Sequence, residues 1–216
     1  MSIPEKSVYI VEDEESLGVS LKILLDASGF STKTFSSAHS FLKFCKEAPV
    51  VFNHPGCLVL DVRLPDMPGP EVFSRVRKEH QNSCLSTIFM TGHGDTEMAV
   101  NLMKLGAFDY LSKPFNPHSL IEKLEEAYKR SVLKCEDQQF INDFHAKLSQ
   151  LSPHEKMVMK LMMEHMITKE IAETMLNSTR TVEVHRANVL KKMDCASAAE
   201  LSQKNERYRL LSDFKP

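Results

Sequence analysis

Acidic side chains stand where two apolar segments end. Residues 57–61 read Cys-Leu-Val-Leu-Asp, and after Asp61 comes a proline-rich stretch that closes on Gly69. Glu12 and Asp13 end an earlier apolar segment in the same way. Carboxylates that converge repel one another, and their pKa values rise unless a cation lies among them. Oxygen ligands of this kind favour Mg²⁺, which usually keeps several waters and also takes a phosphate oxygen.

Two further side chains follow apolar segments and suit the same chemistry. Thr91 comes after residues 86–90, and Lys113 comes after residues 108–112. A carboxylate beside Mg²⁺ can attack a phosphoryl group and form an acyl phosphate. An ammonium group and a hydroxyl group then stabilise the charge on the transferred group. The glycines of the loop Thr-Gly-His-Gly, residues 91–94, give its backbone freedom around a phosphate.

Each of these residues taken alone is more often a loop cap or a surface charge than part of a site. Their common placement, each at the end of its own predicted strand, is what favours a functional pocket. Ligands bind beyond the carboxyl ends of parallel strands, at the point where the strand order reverses. We therefore predict that Glu12, Asp13, Asp61, Thr91 and Lys113 meet there.

The elements that must bring them together are readable from the apolar spacing. Short apolar segments alternate with helical patterns, which predicts a parallel sheet with helices on both faces and right-handed crossovers. The predicted strands are residues 7–13, 31–35, 57–61, 86–90 and 108–112. The predicted helices are residues 16–27, 37–47, 70–79, 96–105 and 117–133.

The second half of the chain has a different character. Residues 118–152 contain neither glycine nor proline, which predicts a long helical connector, and a break near Glu136 is left open. Ser152-Pro153-His154-Glu155 has the form of a capping box, and helical patterns follow it to the end of the chain. Residues 1–145 carry a net charge of −5 and residues 146–216 a net charge of +3. A basic half suits a polyanion such as DNA.

Composition and motif spacing argue against several classes of protein. The sequence has no apolar run of transmembrane length and no signal-peptide pattern at its first residues, so we expect no membrane association. The five cysteines are scattered and make no CxxC pair, and we expect them to be reduced thiols in a cytoplasmic protein. His154-Glu155 begins like the zinc motif HExxH, but Val158 stands where the second histidine is needed.

The motifs identify a family. The segments VEDE, LDVRLPDMPG, MTGHGD and GAFDYLSKPF resemble the receiver domain of bacterial two-component response regulators. The segments LSPHEKMVMK, TKEIAETM, TRTVEVHRANVLKKM and SAAEL resemble a LuxR-type helix-turn-helix, most closely in the FixJ branch of the NarL/FixJ group. The resemblance implies a five-stranded, doubly wound, flavodoxin-like receiver over residues 1–121. A helical linker over 122–147 and an all-α, four-helix DNA-binding domain over 148–216 complete the expected organisation.

The resemblance also implies residue roles in the receiver. Asp61 is the expected phosphoacceptor, and Arg63 is expected to lend its backbone carbonyl to Mg²⁺ beside Glu12, Asp13 and Asp61. Thr91 and Lys113 are the expected partners of the phosphate. Tyr110 is the expected switch aromatic, although an ordinary core position is the alternative, and Lys113-Pro114 is the place of a cis peptide. The family usually has aspartate where this chain has Glu12, which leaves metal affinity open.

The predicted helix over residues 179–193 divides into two faces. Val182, His185, Val189 and Met193 recur at helical spacing and are expected to face the core, with His185 packed and hydrogen-bonded. The opposite face could enter the major groove of DNA, although a charged helical face is most often simply solvated. The candidate DNA-binding residues are Thr168, Lys169, Ser178, Thr179, Arg180, Glu183, Val184, Arg186, Ala187, Asn188 and Lys191.

The resulting hypothesis is a transcription factor that is activated by phosphorylation. Its expected partners are a sensor histidine kinase, double-stranded promoter DNA, RNA polymerase and a second copy of the chain, paired through the fourth helix and fifth strand. Three alternatives remain at this stage. The first is a phosphohydrolase, which is disfavoured because Arg63 stands where a second aspartate is typical. The second is a receiver that only dimerises, and the third is a tail that binds RNA or protein.

Overall fold

The computed structural model describes residues 6–92 and 96–213, and the chain divides into two compact units. The first unit covers residues 1–136 and the second covers residues 137–216. The first unit alternates strands and helices, as the apolar spacing predicts. Its elements are β1 Ser7–Val11, α1 Glu15–Ala27, β2 Ser31–Phe35, α2 Ala38–Glu47, a 3-10 helix Pro49–Asn53, β3 Gly56–Asp61, α3 Gly69–Glu79, β4 Ser86–Thr91, α4 Thr96–Lys104, β5 Asp109–Ser112 and the start of α5 Pro117–Ser149.

The strands form one parallel sheet in the order β2-β1-β3-β4-β5. Strands β3 and β4 are buried along their whole length, because both faces of a parallel sheet are covered by helices. Strand β2 is the polar edge strand, with Lys33 and Thr34 exposed to solvent. The strand order reverses between β1 and β3, whose carboxyl ends lie side by side with Val11 opposite Leu60.

The two faces of the sheet carry separate apolar cores. One core joins alternate strand residues such as Leu58, Leu60 and Phe89 to side chains of α2 and α3. The other joins strand residues such as Val59 to Leu21 of α1 and to the first turns of α5. Successive side chains of a strand point to opposite faces of the sheet, and this alternation decides which helices each side chain packs against.

Helix α5 is continuous through Glu136, so the break that the sequence left open does not occur. Residues 118–152 contain no glycine or proline, which explains why α5 continues without a break past Glu136. Its two apolar stripes belong to different cores, since Leu120 and Leu124 pack in the first unit and Phe144 packs in the second.

The second unit is helical in its described part. It contains the end of α5 and four further helices, α6 Pro153–Met163, α7 Thr168–Thr174, α8 Thr179–Lys192 and α9 Ala198–Asp213. The predicted capping box is present, because the Ser152 hydroxyl accepts from the Glu155 N–H and the Glu155 carboxylate accepts from the Ser152 N–H. Lys192 of α8 also bonds this carboxylate, at 2.6 Å, and so ties α8 to the start of α6.

One expectation about the cysteines is wrong. Cys84, just before β4, and Cys135, on α5, form a disulfide with Cα atoms 5.1 Å apart, while Cys45, Cys57 and Cys195 are free. The two residues are separated by 51 positions in the sequence, and packing of α5 against the amino-terminal end of β4 brings them together. Spacing along the chain carries no sign of such a long-range contact.

Within the described ranges, no helix combines the length and the apolar content that crossing a membrane requires.

Candidate functional site

The predicted pocket lies at the carboxyl edge of the sheet. Glu12 and Asp13 directly follow β1, Asp61 ends β3, Thr91 ends β4, and Lys113 directly follows β5. Neighbouring parallel strands hold these positions together, since Asp61 lies opposite Met90 and the Lys113 N–H donates to the Thr91 carbonyl at 2.7 Å. The sheet thus assembles a site from four separate segments of the chain.

Three carboxylates converge at this edge. One ligand oxygen each from Glu12, Asp13 and Asp61 lies within 4.8 Å of the others. Glu12 and Asp61 are buried, whereas Asp13 is exposed and keeps the pocket open to solvent. Three hard oxygen donors at this spacing, with an open side for water, match the ligand set that Mg²⁺ requires. The residues present therefore fit a magnesium ion.

Lys113 contacts two members of this carboxylate cluster. Its ammonium group donates to the Glu12 carboxylate at 2.6 Å and also to Asp61 Oδ2. Burial alone would lower the pKa of Lys113, but its hydrogen bonds to Asp61 and Glu12 outweigh burial and raise it. Burial raises the pKa of Glu12, and the neighbouring Asp61 charge adds to this, against the hydrogen bond from Lys113. The lysine consequently stays charged in the pocket.

The loop that follows β3 fixes the orientation of Asp61. The Arg63 N–H donates to Asp61 Oδ1 at 2.7 Å, and the Gly69 N–H donates to the Val62 carbonyl at 3.0 Å. At Gly69 the loop returns so closely that an added Cβ would lie 2.1 Å from the Asp61 carbonyl oxygen. Glycine is needed here because no side chain fits between the loop and the strand end.

A second contact holds the same loop, and sequence reasoning missed it. The Asp66 carboxylate accepts from the N–H groups of Ala38 and His39, at 3.1 Å and 2.9 Å, and contacts the His39 ring at 2.5 Å. Asp66 thereby caps α2 together with Ser37, which accepts from the Ser40 N–H. Despite partial burial, the bonds to His39 and Ala38 lower the pKa of Asp66 to about 2.

The remaining receiver residues have definite positions. Thr91 is buried at the end of β4, and the peptide bond between Lys113 and Pro114 is cis, as the resemblance implied. The Tyr110 side chain is 37% exposed on β5, so it is not a core aromatic here. Residues 93–95 of the glycine-containing loop lie outside the described residues.

The second unit contains the predicted pair of helices joined by a tight turn. Helix α7 ends at Thr174 and α8 begins at Thr179, and both pack in one apolar core. Val182 and Val189 of α8, and Met193 directly after it, are buried in that core, as their spacing predicts. His185 stacks on His154 with ring centroids 6.1 Å apart, so it is packed as expected. Among the described residues its buried Nδ1 has no hydrogen-bond partner, contrary to the expectation for that atom.

The candidate DNA-contacting residues mostly lie on the solvent side of α7 and α8. Thr168 and Arg186 are half-buried, and the Arg186 guanidinium donates to the Met166 carbonyl at 3.4 Å. The Ser178 hydroxyl caps α8 by accepting from the Thr181 N–H at 3.1 Å. The exposed members of the set are Lys169, Ser178, Thr179, Arg180, Glu183, Val184, Ala187, Asn188 and Lys191.

Comparison with known families matches both units. The family described as response regulator receiver domain matches residues 8–125. The family described as bacterial regulatory proteins, luxR family, matches residues 149–204. These ranges contain the carboxylate pocket and the two packed helices, respectively.

Individual proteins match along nearly the whole chain. The transcriptional regulatory protein FixJ of Rhizobium meliloti is 42% identical over 195 residues, which are 90% of this chain and 92% of that protein. FixJ of Bradyrhizobium diazoefficiens is 36% identical, covering 95% of this chain and 97% of that protein. The solved structure of the response regulator StyR has a TM-score of 0.82 at 30% identity, covering 94% of this chain and 100% of that one. With both domains matched and this extent of identity, the chain belongs to the FixJ-like branch of the NarL/FixJ family of response regulators.

Proposed function

We propose that Asp61 accepts a phosphoryl group from a sensor histidine kinase and that this modification controls DNA binding by the second unit. The chain is a phosphorylation-activated transcriptional regulator, because it combines a receiver with a LuxR-type domain. It is a transcription factor and not a classical enzyme. The observation that carries the choice of Asp61 is its position, buried at the end of β3 and bonded by both Arg63 and Lys113.

The neighbours of Asp61 suit a nucleophile. Its Oδ1 accepts from the Arg63 N–H, and its Oδ2 faces the Lys113 ammonium. A phosphoryl group joined at Oδ2 would lie next to that positive charge, which stabilises the equatorial oxygens of the transferred group. Glu12 is a less suitable nucleophile, because burial raises its pKa. Its Oε2 accepts from Lys113 and its Oε1 accepts from the Glu14 N–H.

Glu12, Asp13 and Asp61, with the backbone carbonyl of Arg63, are the residues that would hold Mg²⁺. The ion supplies neutralisation of carboxylate and phosphoryl charge when it is bound. Lys113 already bonds two of the carboxylates, so the lysine can turn from Glu12 to a phosphoryl oxygen while it stays near Asp61. The Thr91 hydroxyl is proposed as the second phosphate partner.

The proposed conformational change passes from Thr91 through Tyr110 to the surface of α4 and β5. Movement of Thr91 toward a phosphate would open space for Tyr110 to turn inward, in a shift between two pre-existing conformations. Large apolar side chains are exposed on this surface, at 37–47% of their area, and they suit dimerisation by a second copy. The residues are Val100, Met103, Leu105 and Tyr110.

The second unit is proposed to read promoter DNA with α8 in the major groove. Arg180, Glu183 and Asn188 suit base edges, and Lys169 and Lys191 suit phosphates. A symmetric dimer would read a two-fold related site. RNA polymerase is the proposed partner at the promoter, and the bacterial cytoplasm is the proposed location.

We propose that the chain is organised as a receiver over residues 1–121, a linker over 122–147 and a DNA-binding domain over 148–216. The linker range lies within helix α5, Pro117–Ser149, which contributes to the cores of both units. A stiff helix that joins the two domains suits transmission of a receiver change.

One experiment tests the phosphorylation and the DNA binding together. The purified chain is incubated with Mg²⁺ and a small acyl phosphate, and its intact mass is measured, with a gain of about 80 Da expected for one acyl phosphate. Asp61→Asn should show no gain, while Asp26→Asn, which changes an exposed aspartate of the same unit, should behave as wild type.

The same samples are then used to select binding sites from random double-stranded oligonucleotides. The phosphorylated wild type should enrich a two-fold related sequence, with affinity that falls steeply as salt rises. Undiminished phosphorylation of Asp61→Asn, or equal enrichment by that variant, would contradict the proposal.

A further inference from the structure

The disulfide between Cys84 and Cys135 lies where the first unit ends. Cys135 is one residue before Glu136, the last residue of that unit, and α5 continues from there to Ser149. Cys84 precedes β4, and its N–H donates to the Phe52 carbonyl at 2.8 Å. The bond therefore joins the amino-terminal edge of the sheet to the last turn of α5 that belongs to the first unit.

A hydrogen-bonded anchor lies one helical turn earlier on α5. The buried Ser131 hydroxyl donates to the Cys84 carbonyl at 2.6 Å and accepts from the Gly56 N–H at 2.8 Å. Ser131 and Cys135 are four residues apart, so they share one face of α5 and both bind Cys84. The helix is thus held at this point by one polar contact and one covalent contact.

The site accommodates both oxidation states of the pair. Cys135 Sγ lies 3.5 Å from the Asn53 carbonyl oxygen, which is within reach of a thiol S–H donor when the disulfide is open. Both cysteines are buried, with 2% and 3% of their surfaces exposed. Exchange with a small reagent therefore requires opening of α5 around Cys135, and the hydrogen bonds of Ser131 oppose that opening.

The other cysteines do not compete for this chemistry. Burial raises the pKa of Cys45 and of Cys57 to about 12, and it also raises that of Cys195. Thiolates are the reactive form, so burial slows these three thiols. What distinguishes Cys84 and Cys135 is that each lies within bonding distance of a second cysteine, whereas Cys45, Cys57 and Cys195 are free. In a reducing compartment a disulfide is usually transient, catalytic or redox-sensing. The cytoplasmic location is part of the proposed function, and the inference rests on it.

We propose that Cys84 and Cys135 are a reversible thiol–disulfide site whose reactants are small disulfides and thiols of the glutathione class. One protein thiolate attacks the small disulfide and forms a mixed disulfide, releasing one small thiolate. The second protein thiolate attacks the protein sulfur of the mixed disulfide and releases the second small thiolate. The two small thiolates take up the two protons that the protein thiols lost. Two protein thiols and one small disulfide thus give one protein disulfide and two small thiols. The oxidised form fixes the end of α5, and the reduced form leaves Ser131 as the anchor.

The test uses the full chain equilibrated with mixtures of reduced and oxidised glutathione. Thiols are then alkylated under denaturing conditions and counted by intact mass, and peptide mapping identifies the linked pair. Wild type and Cys195→Ser, the control in the second unit, should lose two alkylatable thiols as oxidised glutathione increases. Cys135→Ser should not form the link. Ser131→Ala should speed its reduction by dithiothreitol, because the polar anchor is gone.

Amide hydrogen exchange gives the structural readout in the same samples. Residues 132–136 should exchange more slowly in the oxidised form, by on the order of tenfold, because local opening becomes less favourable. Cys135→Ser should show no such change. The proposal is overturned if the link never forms, if dithiothreitol cannot open it in the folded chain, or if exchange is equal in both forms. No phosphodonor or DNA is used, so failure here is distinct from failure of the proposed function.

Discussion

At the scale of single residues, the acidic pocket concentrates negative charge. Glu12, Asp13 and Asp61 bring three carboxylates together, and Lys113 contacts two of them. Like charges at this spacing oppose one another. Burial is the main cause of the raised pKa of Glu12, and the Asp61 charge adds to it against the hydrogen bond from Lys113. A divalent cation relieves the repulsion, so binding of Mg²⁺ should stabilise the folded receiver.

The exposed carboxylate of Asp13 allows this to be tested with little risk to folding. Mg²⁺ at about 100 times its Kd should add about 2.7 kcal/mol to the free energy of unfolding of wild type. In Asp13→Asn the gain should fall by at least about 1.4 kcal/mol, which corresponds to a tenfold weaker Kd. Thermal and denaturant unfolding with and without Mg²⁺ measure both values.

The matched control is Glu47→Gln, which removes an exposed carboxylate at the end of α2. It should keep the full stabilisation by Mg²⁺, because it lies outside the cluster. An equal loss in the two variants would mean that the ion acts through general charge screening and not through the pocket.

At the scale of elements, the loop between β3 and α3 determines the position and orientation of Asp61. Gly69 returns against the strand end, where a Cβ would lie 2.1 Å from the Asp61 carbonyl oxygen. Gly69→Ala must therefore shift the loop or the strand end. We expect a loss of about 1–3 kcal/mol in stability, typical of overpacking, and slower phosphorylation of Asp61.

A second glycine variant separates the steric effect from the change of residue type. Apart from its chain neighbours and the backbone of α1 itself, an added Cβ at Gly18 would meet no atom of the described residues within 4 Å. Alanine also suits a helix better than glycine by about 0.5–1 kcal/mol. Gly18→Ala should hold or raise stability and leave phosphorylation by a small acyl phosphate unchanged. Denaturant unfolding and the rate of mass gain compare the two, and parallel losses would refute the steric explanation.

In the second unit, Glu155 joins α6 to α8. Hydrogen bonds from Lys192 and from the Ser152 N–H lower the pKa of Glu155 from 4.5 to about 2. Because the folded-state pKa is the lower one, the stabilisation is complete above about pH 5 and disappears as pH falls toward 2. Glu155→Gln should therefore reduce protection of α6 and α8 amides at neutral pH, while its difference from wild type shrinks as the solution is acidified.

Hydrogen exchange of the full chain between neutral pH and pH 3, corrected for the intrinsic exchange rate, measures this. Glu164→Gln, at the exposed end of the same helix, is the control and should follow wild type throughout. A difference between Glu155→Gln and wild type that stays constant over this pH range would show that packing and not charge holds the two helices.

At the scale of the whole molecule, the sequence predicts what depends on local patterns. The buried strands β3 and β4 have apolar centres, Leu58–Leu60 and Ile88–Met90, so their place in a parallel sheet follows directly, and with it the meeting of Asp61 and Thr91 at one edge. The capping box at Ser152 is likewise a local signal. These features need only the neighbours of each residue along the chain.

Contacts that depend on how distant segments pack could not be predicted. Cys84 and Cys135 meet because α5 lies against the start of β4. Asp66 caps α2 from a loop 27 residues further along the chain. Exposure of Tyr110 also depends on its surroundings, since the apolar pattern of β5 allows either orientation. In each case the deciding partner is far away in sequence, and composition or spacing does not reveal it.

Dimerisation is a property of the whole molecule, and a substitution on the surface of α4 and β5 tests it directly. Met103 is 42% exposed there, beside Val100 and Leu105. Phosphorylated Met103→Glu should remain monomeric, because two like charges would face each other across a symmetric interface. Its phosphorylation by a small acyl phosphate should be unchanged, since Met103 lies outside the carboxylate pocket, while DNA affinity should fall by at least about tenfold through lost avidity.

Sedimentation and DNA titration of phosphorylated samples compare this variant with Ile23→Glu, which places the same charge on the exposed face of α1, where Ile23 is 66% exposed. The control should dimerise and bind DNA as wild type does. If Met103→Glu still forms dimers, or if both variants lose them equally, the interface lies elsewhere on the molecule. If the variant is monomeric and yet binds DNA as tightly as wild type, phosphorylation must act on the DNA-binding unit without pairing two chains.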